Sequence, residues 1–287
     1  MSSSTASASA TDLPVRRLTA ADRARCSALA VSRDWGTEER KWELLFELGE
    51  VYGVEEPAGD LIATSVLTRY GADLAAVSMV LVAKEHERRG FGTKMVRHAL
   101  EQADGSCVTL HATQPGRPLY DKLGFKSFAT VEAHLGTFDP TGANVGSSDE
   151  ATAADYAEIA RLDRDAYGAD RAALMARLPQ LAERIRVLRG GDGKLTGYGA
   201  TWRNGATTVV GPVVAPDVAG ARDLVTDLAV GVEGPVRMDI DHEGDDLSAW
   251  ACGHGLQPTY SCTHMAHGKQ VPMDQSRLHA PLMCALG

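Results

Sequence analysis

The chain has 287 residues, too many for one minimal core and comfortable for two α/β domains. It is 44% hydrophobic and 23% charged, as globular proteins are, and its net charge of −9 argues against nucleic acid as a main partner while suiting a cationic or amine ligand. No apolar run reaches membrane-spanning length, the first residues (MSSSTASASATD) lack the basic and apolar regions of a secretory signal, and five cysteines form no regular framework, so a cytoplasmic protein with reduced thiols and no membrane partner is expected.

In chain order, residues 1–12 read as a disordered tail. Leu13 to Arg17 is a strand, and Thr19 caps a helix from Ala20 to Val31. A second helix covers Glu38 to Leu48, with Trp42, Leu45 and Phe46 on its apolar face. Strands follow at Val51–Val54 and Leu61–Tyr70, then a buried strand over Met79–Val82. A basic loop leads through Gly90-Phe91-Gly92 into a helix that begins near Thr93. Cys107–His111 is a strand, Pro115–Leu123 a short helix and Phe128–Phe138 another strand. The turn formers of DPTGANVGSS mark a linker. The expected division is 13–139, a linker at 140–149, and 150–287.

The second half repeats the first. Gly197–Trp202 parallels Leu61–Ser65, Val213–Asp217 parallels Leu81–Glu85, Leu224-Val225 parallels Met95-Val96, and Val236–Ile240 parallels Val108–Ala112. The order of pieces is kept, which predicts two copies of one α/β fold. From Glu85 to Val96 is 11 positions, whereas from Asp217 to Val225 is 8. The second copy has lost three residues there, together with Gly-x-Gly and the arginine pair.

Strand, glycine loop and helix start form an anion nest: unpaired N–H groups point outward and the helix dipole favours negative charge. Arg88, Arg89 and Lys94 add positive charge. The run Glu87-Arg88-Arg89-Gly90-Phe91-Gly92 resembles the pyrophosphate loop of the GNAT N-acetyltransferases, Gln/Arg-x-x-Gly-x-Gly/Ala, with Glu87 as a departure. Tyr120-Asp121-Lys122-Leu123-Gly124-Phe125 resembles the Tyr-x-x-x-Gly-Phe motif of that superfamily, and HATQPGRPLYDKLGF is similar to a bacterial subgroup with tandem domains and a degenerate C-terminal copy.

The resemblance implies an α/β (α+β) fold of two tandem domains, each a mixed, mostly antiparallel sheet flanked by helices. It implies acetyl-CoA as acyl donor and no metal. Backbone groups of Val80, Leu81 and Val82 would meet the pantetheine arm and acyl carbonyl. Arg88, Arg89, Gly90, Phe91, Gly92 and Thr93 would hold the pyrophosphate, and Tyr120 would protonate the leaving thiolate. In the second copy the position four before Gly255 is Ala251, so no phenol stands there. One cofactor site, in the first copy, is expected. The general base stays open among His111, Asp34, Asp239, Asp241 and a water relay. Trp35 and Trp42 are candidates to line the acceptor site. The cluster Cys252, His254, Cys262, His264 and His267 has no structural-zinc spacing, and strand alternation puts His267 on the opposite face from Cys262 and His264. The expected acceptor is a small-molecule amine and the expected assembly a monomer or homodimer. An acyl-CoA-binding sensor and a protein N-acetyltransferase are the alternatives.

Overall fold

The computed structural model describes residues 13–241, 245–269 and 273–286; the tail expected over 1–12 lies outside them. In chain order the elements begin with β1 (Val15–Arg17), α1 (Arg23–Val31), α2 (Glu39–Leu48), β2 (Gly49–Glu55), β3 (Leu61–Tyr70) and β4 (Leu74–Val82). They continue with α3 (Phe91–Gln102), β5 (Cys107–Thr113), α4 (Arg117–Lys122) and β6 (Lys126–Gly136). The second half holds β7 (Asp149–Glu150), α5 (Tyr156–Tyr167), α6 (Ala172–Leu181), β8 (Ala182–Arg189), β9 (Leu195–Asn204) and β10 (Thr207–Val214). It ends with α7 (Val218–Ala229), β11 (Val236–Asp241), α8 (Asp245–Gly253), β12 (Leu256–His267) and β13 (Leu278–Ala280). The first turn expected of α1 is instead a 3-10 turn over Ala20–Asp22, because Thr19 and Asp22 cap each other reciprocally.

The chain divides into two compact units. One runs to Thr68 and includes Val77–Gly105; the other is Arg69–Ala76 with Ser106–Gly287. In the first, β1, β2 and β3 are antiparallel neighbours and β4 follows β3. β3 is buried along nearly its whole length, with Thr64, Ser65 and Thr68 buried among its apolar residues. α3 buries Phe91, Met95, Val96 and Ala99, the i, i+4, i+5, i+8 stripe of an amphipathic helix.

The second unit has strand order β5-β12-β6-β11-β10-β9-β8-β7, with β13 against β10. The central pair is an exchange. β6, from the first repeat, lies along β11 of the second, with Val236 opposite Gly136 and Asp241 opposite Val131. β12, from the second repeat, lies along β5 of the first, with Val108 opposite His267 and Thr113 opposite Cys262. The two ladders correspond residue for residue, so the parallel between 236–240 and 108–112 is also a parallel in register. Gly136 sits where β6 meets the chain entering β12: a Cβ there would lie 2.0 Å from the Gly255 carbonyl oxygen. That close approach ends β6 at Gly136, short of the expected Phe138.

The core of the second repeat joins α7 (Leu224, Val225, Leu228) to β10 and β11 (Val210, Val213, Met238, Ile240). Asp227 of α7 accepts hydrogen bonds from Gly146 N (2.6 Å), Ser148 N (2.8 Å) and Ser148 Oγ (2.7 Å), so the turn-rich segment before β7 is anchored to that helix. Gly168, at φ 64°, ends α5 and turns the chain back. Arg171 then re-enters the core, meeting Asp163 at 3.1 Å and the Tyr167 ring at 3.4 Å, while Tyr198 donates to Asp163 at 2.6 Å. A buried guanidinium is tolerated there because carboxylate and aromatic faces surround it.

Candidate functional site

β4 carries a bulge. Met79 is 4% exposed yet has φ 48°, and its carbonyl accepts from Thr64 Oγ1 at 2.9 Å. A buried left-handed residue re-aims the strand it interrupts. Val80, Leu81 and Val82 follow directly and end β4. After a 3-10 turn over Lys84–His86, Arg88 (φ 57°) and Gly90 (φ 91°) both adopt left-handed backbone. Gly90 is the N-cap of α3 and offers no side chain to it. The amides of Phe91, Gly92 and Thr93 therefore have no acceptor among the described residues. These are the orphan donors of a helix start, presented behind a glycine.

The charges around this start are arranged unequally. Arg89 meets His86 Nδ1 at 2.9 Å and lies over the Phe91 ring. His86 in turn meets Glu56 at 2.8 Å. Lys94 donates to the Leu13 carbonyl. Arg88 has no partner among the described residues. Glu87, the residue that departs from the expected pattern, pairs with Arg33, which follows α1 and is 54 positions away. The sequence marked Glu87 as unusual; its partner could not be read from local spacing. Trp35 is 38% exposed and Trp42 fully buried, so these two do not act alike.

The second repeat treats the same place differently. Its connection from β10 to α7 is only 215–217. Asp217 is the N-cap, and its carboxylate accepts from Gly220 N at 2.8 Å. A protein carboxylate thus sits where an anion would. Strand geometry makes the same point. β4 pairs with β5 over Leu74–Ala76, and β10 pairs with β11 over Thr208–Val210, three residues in each case. Beyond Val210, β13 pairs with β10 at Val213 and Val214. The segment is pinned by Trp202 Nε1 on the Leu282 carbonyl at 3.0 Å. A Cβ at Gly211 would lie 2.2 Å from the Pro281 carbonyl oxygen, so glycine is required for this approach. Asp217 directly before the apolar positions of α7 is a helix-start signal that the sequence reading did not use.

Tyr120 lies in the second unit, on α4, 9% exposed and edge-on to Phe125. Its hydroxyl makes no hydrogen bond among the described residues. Burial, reinforced by the nearby Cys262, pushes its pKa up to about 12, so the phenol keeps its proton at neutral pH. Of the candidate bases, Asp239 is engaged through both oxygens by Arg237 at 2.8 and 2.9 Å. Asp34 is exposed in the first unit, at φ 62°. His111 Nδ1 lies 3.0 Å from the Cys284 carbonyl. A carbonyl only accepts, so Nδ1 carries the hydrogen and Nε2 the lone pair. Burial lowers the His111 pKa to about 4. The Cys/His cluster disperses: His254 Nδ1 contacts the Asp139 carbonyl, His264 stacks on His111, and His267 lies against Phe125.

A strand interrupted at Met79, a glycine loop and a helix start, with a strand-to-helix counterpart in the second repeat, define a class. Two family profiles, each described as an acetyltransferase (GNAT) domain, match residues 47–127 and 159–280. The chain belongs to the GNAT acetyltransferases and carries two such domains in tandem. A Bacillus subtilis (strain 168) protein named as the uncharacterized N-acetyltransferase YitH is 31% identical over 259 residues, covering 88% of this chain and 90% of that protein. The fold is similar to that of a presumed acetyltransferase from Pyrococcus horikoshii, with TM-score 0.78, 18% identity and 96% of each chain covered. It is also similar to a tandem GNAT protein from the clavulanic acid biosynthesis pathway, with TM-score 0.64, 15% identity, and 90% and 100% covered. GNAT domains generally use acetyl-CoA.

Proposed function

We propose that the chain is an acetyl-CoA-dependent N-acetyltransferase that transfers an acyl group directly to the amine of a small molecule. The observation that carries this is the asymmetry between the two helix starts. α3 presents uncommitted amides at Phe91, Gly92 and Thr93 behind Gly90, whereas the α7 start is closed by Asp217. An anionic pyrophosphate suits the first and is repelled by the second.

In this reading Arg88, Arg89 and the backbone from Gly90 to Thr93 hold the pyrophosphate. Backbone groups of Val80, Leu81 and Val82 orient the arm and polarise the acyl carbonyl. Acetyl-CoA supplies the activated acyl group. Tyr120 donates its phenolic proton to the departing thiolate, a role that fits a hydroxyl which stays protonated. The test is Gly92→Glu, which introduces bulk and negative charge beside the α3 amides. Calorimetry is expected to show loss of acetyl-CoA binding; unchanged affinity refutes the donor site. Release of free thiol from acetyl-CoA across a panel of primary amines then separates an enzyme from a binding protein.

A further inference from the structure

Of the two adjacent arginines before α3, Arg88 has no partner among the described residues, whereas Arg89 has a built one. Its Nη1 lies 2.9 Å from Nδ1 of His86, and its guanidinium carbon 5.9 Å from the centre of the Phe91 ring. His86 is buried and edge-on to Phe91, and its Nε2 lies 2.8 Å from Oε1 of Glu56. Glu56, His86, Arg89 and Phe91 all belong to the first unit. Both ends of this bridge are anchored through the backbone. Glu56 N donates to the Asp60 carbonyl at 3.0 Å, and the Glu56 carbonyl accepts from Gly59 N at 2.8 Å, which closes the turn between β2 and β3. His86 N donates to the Ala83 carbonyl at 2.9 Å, and Ala83 N donates to Ile62 of β3 at 2.8 Å.

The hydrogens along the bridge follow from donor chemistry. A guanidinium only donates, so the Arg89 contact requires a lone pair on Nδ1 of His86. The ring hydrogen then sits on Nε2 and donates to Glu56. Each bond thus donates toward the carboxylate, and the group touching Arg89 is an uncharged ring. A carboxylate in that place would hold the arginine and also cancel its charge. Imidazole holds it and leaves the charge for another anion. The rotamer freedom of a long side chain is lost on folding rather than on binding. Phe91 carries one of the open α3 amides, so the guanidinium is kept beside them.

We propose that His86, its tautomer set by Glu56, is a positioning residue for acetyl-CoA: it aligns Arg89 for the pyrophosphate without neutralising it. The proposal rests on the donor-site reading of the α3 start. It adds that the alignment of Arg89 comes from a residue outside the Glu87–Gly92 run.

The test compares two variants of the full-length protein by calorimetry with acetyl-CoA. His86→Phe keeps a ring against Phe91 and removes both hydrogen bonds. His86→Gln removes the ring and keeps one donor for Glu56 and one acceptor for Arg89. Affinity is expected to fall about tenfold in His86→Phe, the worth of one hydrogen bond to a charged group, and to be largely restored in His86→Gln. Failure of His86→Phe to weaken binding, or of His86→Gln to bind better than His86→Phe, overturns the proposal. In a double-mutant cycle, His86→Phe should have no further effect on top of Arg89→Ala; losses that add overturn it too. A third readout needs no variant to fold. In the ¹⁵N-histidine spectrum of the wild type at neutral pH, Nδ1 of His86 should be unprotonated and Nε2 should carry the hydrogen, and the opposite tautomer refutes the bridge. If Gly92→Glu leaves acetyl-CoA binding intact, the donor site itself fails. If Gly92→Glu abolishes binding while His86→Phe leaves it unchanged, only the positioning role fails.

Discussion

Gly90 and Asp217 cap equivalent helices with opposite consequences. One leaves the first-turn amides of α3 open, and the other supplies α7 with a carboxylate. Asp217→Ala is expected to cost about 0.5–2 kcal/mol in chemical denaturation, the usual worth of a cap. It should not create a second acetyl-CoA site in calorimetry, because β13 still pairs with β10. Tyr120→Phe removes only the uncommitted hydroxyl. Turnover should fall by about 10²-fold or more with acetyl-CoA affinity intact, and an unaltered rate across pH would exclude an acid role. His111 binds its proton more weakly in the fold than when free, its pKa moving from 6.5 to about 4. Its contribution to stability is therefore complete above pH 6.5 and is lost as pH falls toward 4. The melting temperature should decline over that window, and less steeply in His111→Phe. Part of this scale was legible in the sequence: the Gly-x-Gly loop and the shortened second loop follow from local spacing, and Tyr120 stands out through the family resemblance. The Arg33–Glu87 pair was not legible, because its residues lie 54 positions apart in the chain.

At the scale of elements, apolar runs placed most strands and helices to within a few residues. β3 coincides with its expected limits, since its apolar and β-branched residues mark a strand. The exchange of β6 and β12 left no such trace. Inward and outward residues alternate identically whether a strand pairs with its own repeat or with the other one. What does mark the exchange is glycine. Gly136→Ala would force a methyl group against the Gly255 carbonyl, and a loss of about 1–3 kcal/mol is expected in urea unfolding, the range for overpacking. A neutral result would mean that the β6–β12 junction is slack.

For the whole molecule, the exchange ties the two repeats into one folding problem. A fragment ending at 139 retains β5 and β6 but loses β12 and β11, their antiparallel partners. Exposed edges of this kind recruit other chains. Light scattering is expected to show such a fragment as an oligomer or aggregate; a stable monomer would contradict the exchange. β13 and Asp217 carry a further consequence. Together they give the second repeat a permanent internal ligand, a peptide strand and an anion joined to it by the chain itself. A tethered ligand acts at an effective concentration in the millimolar range and cannot be diluted away. Mass action then distinguishes the two repeats. Dissolved acetyl-CoA at 100 times its Kd would add about 2.7 kcal/mol that varies with its concentration, while the strand and carboxylate joined to the second repeat contribute the same at every concentration of acyl donor.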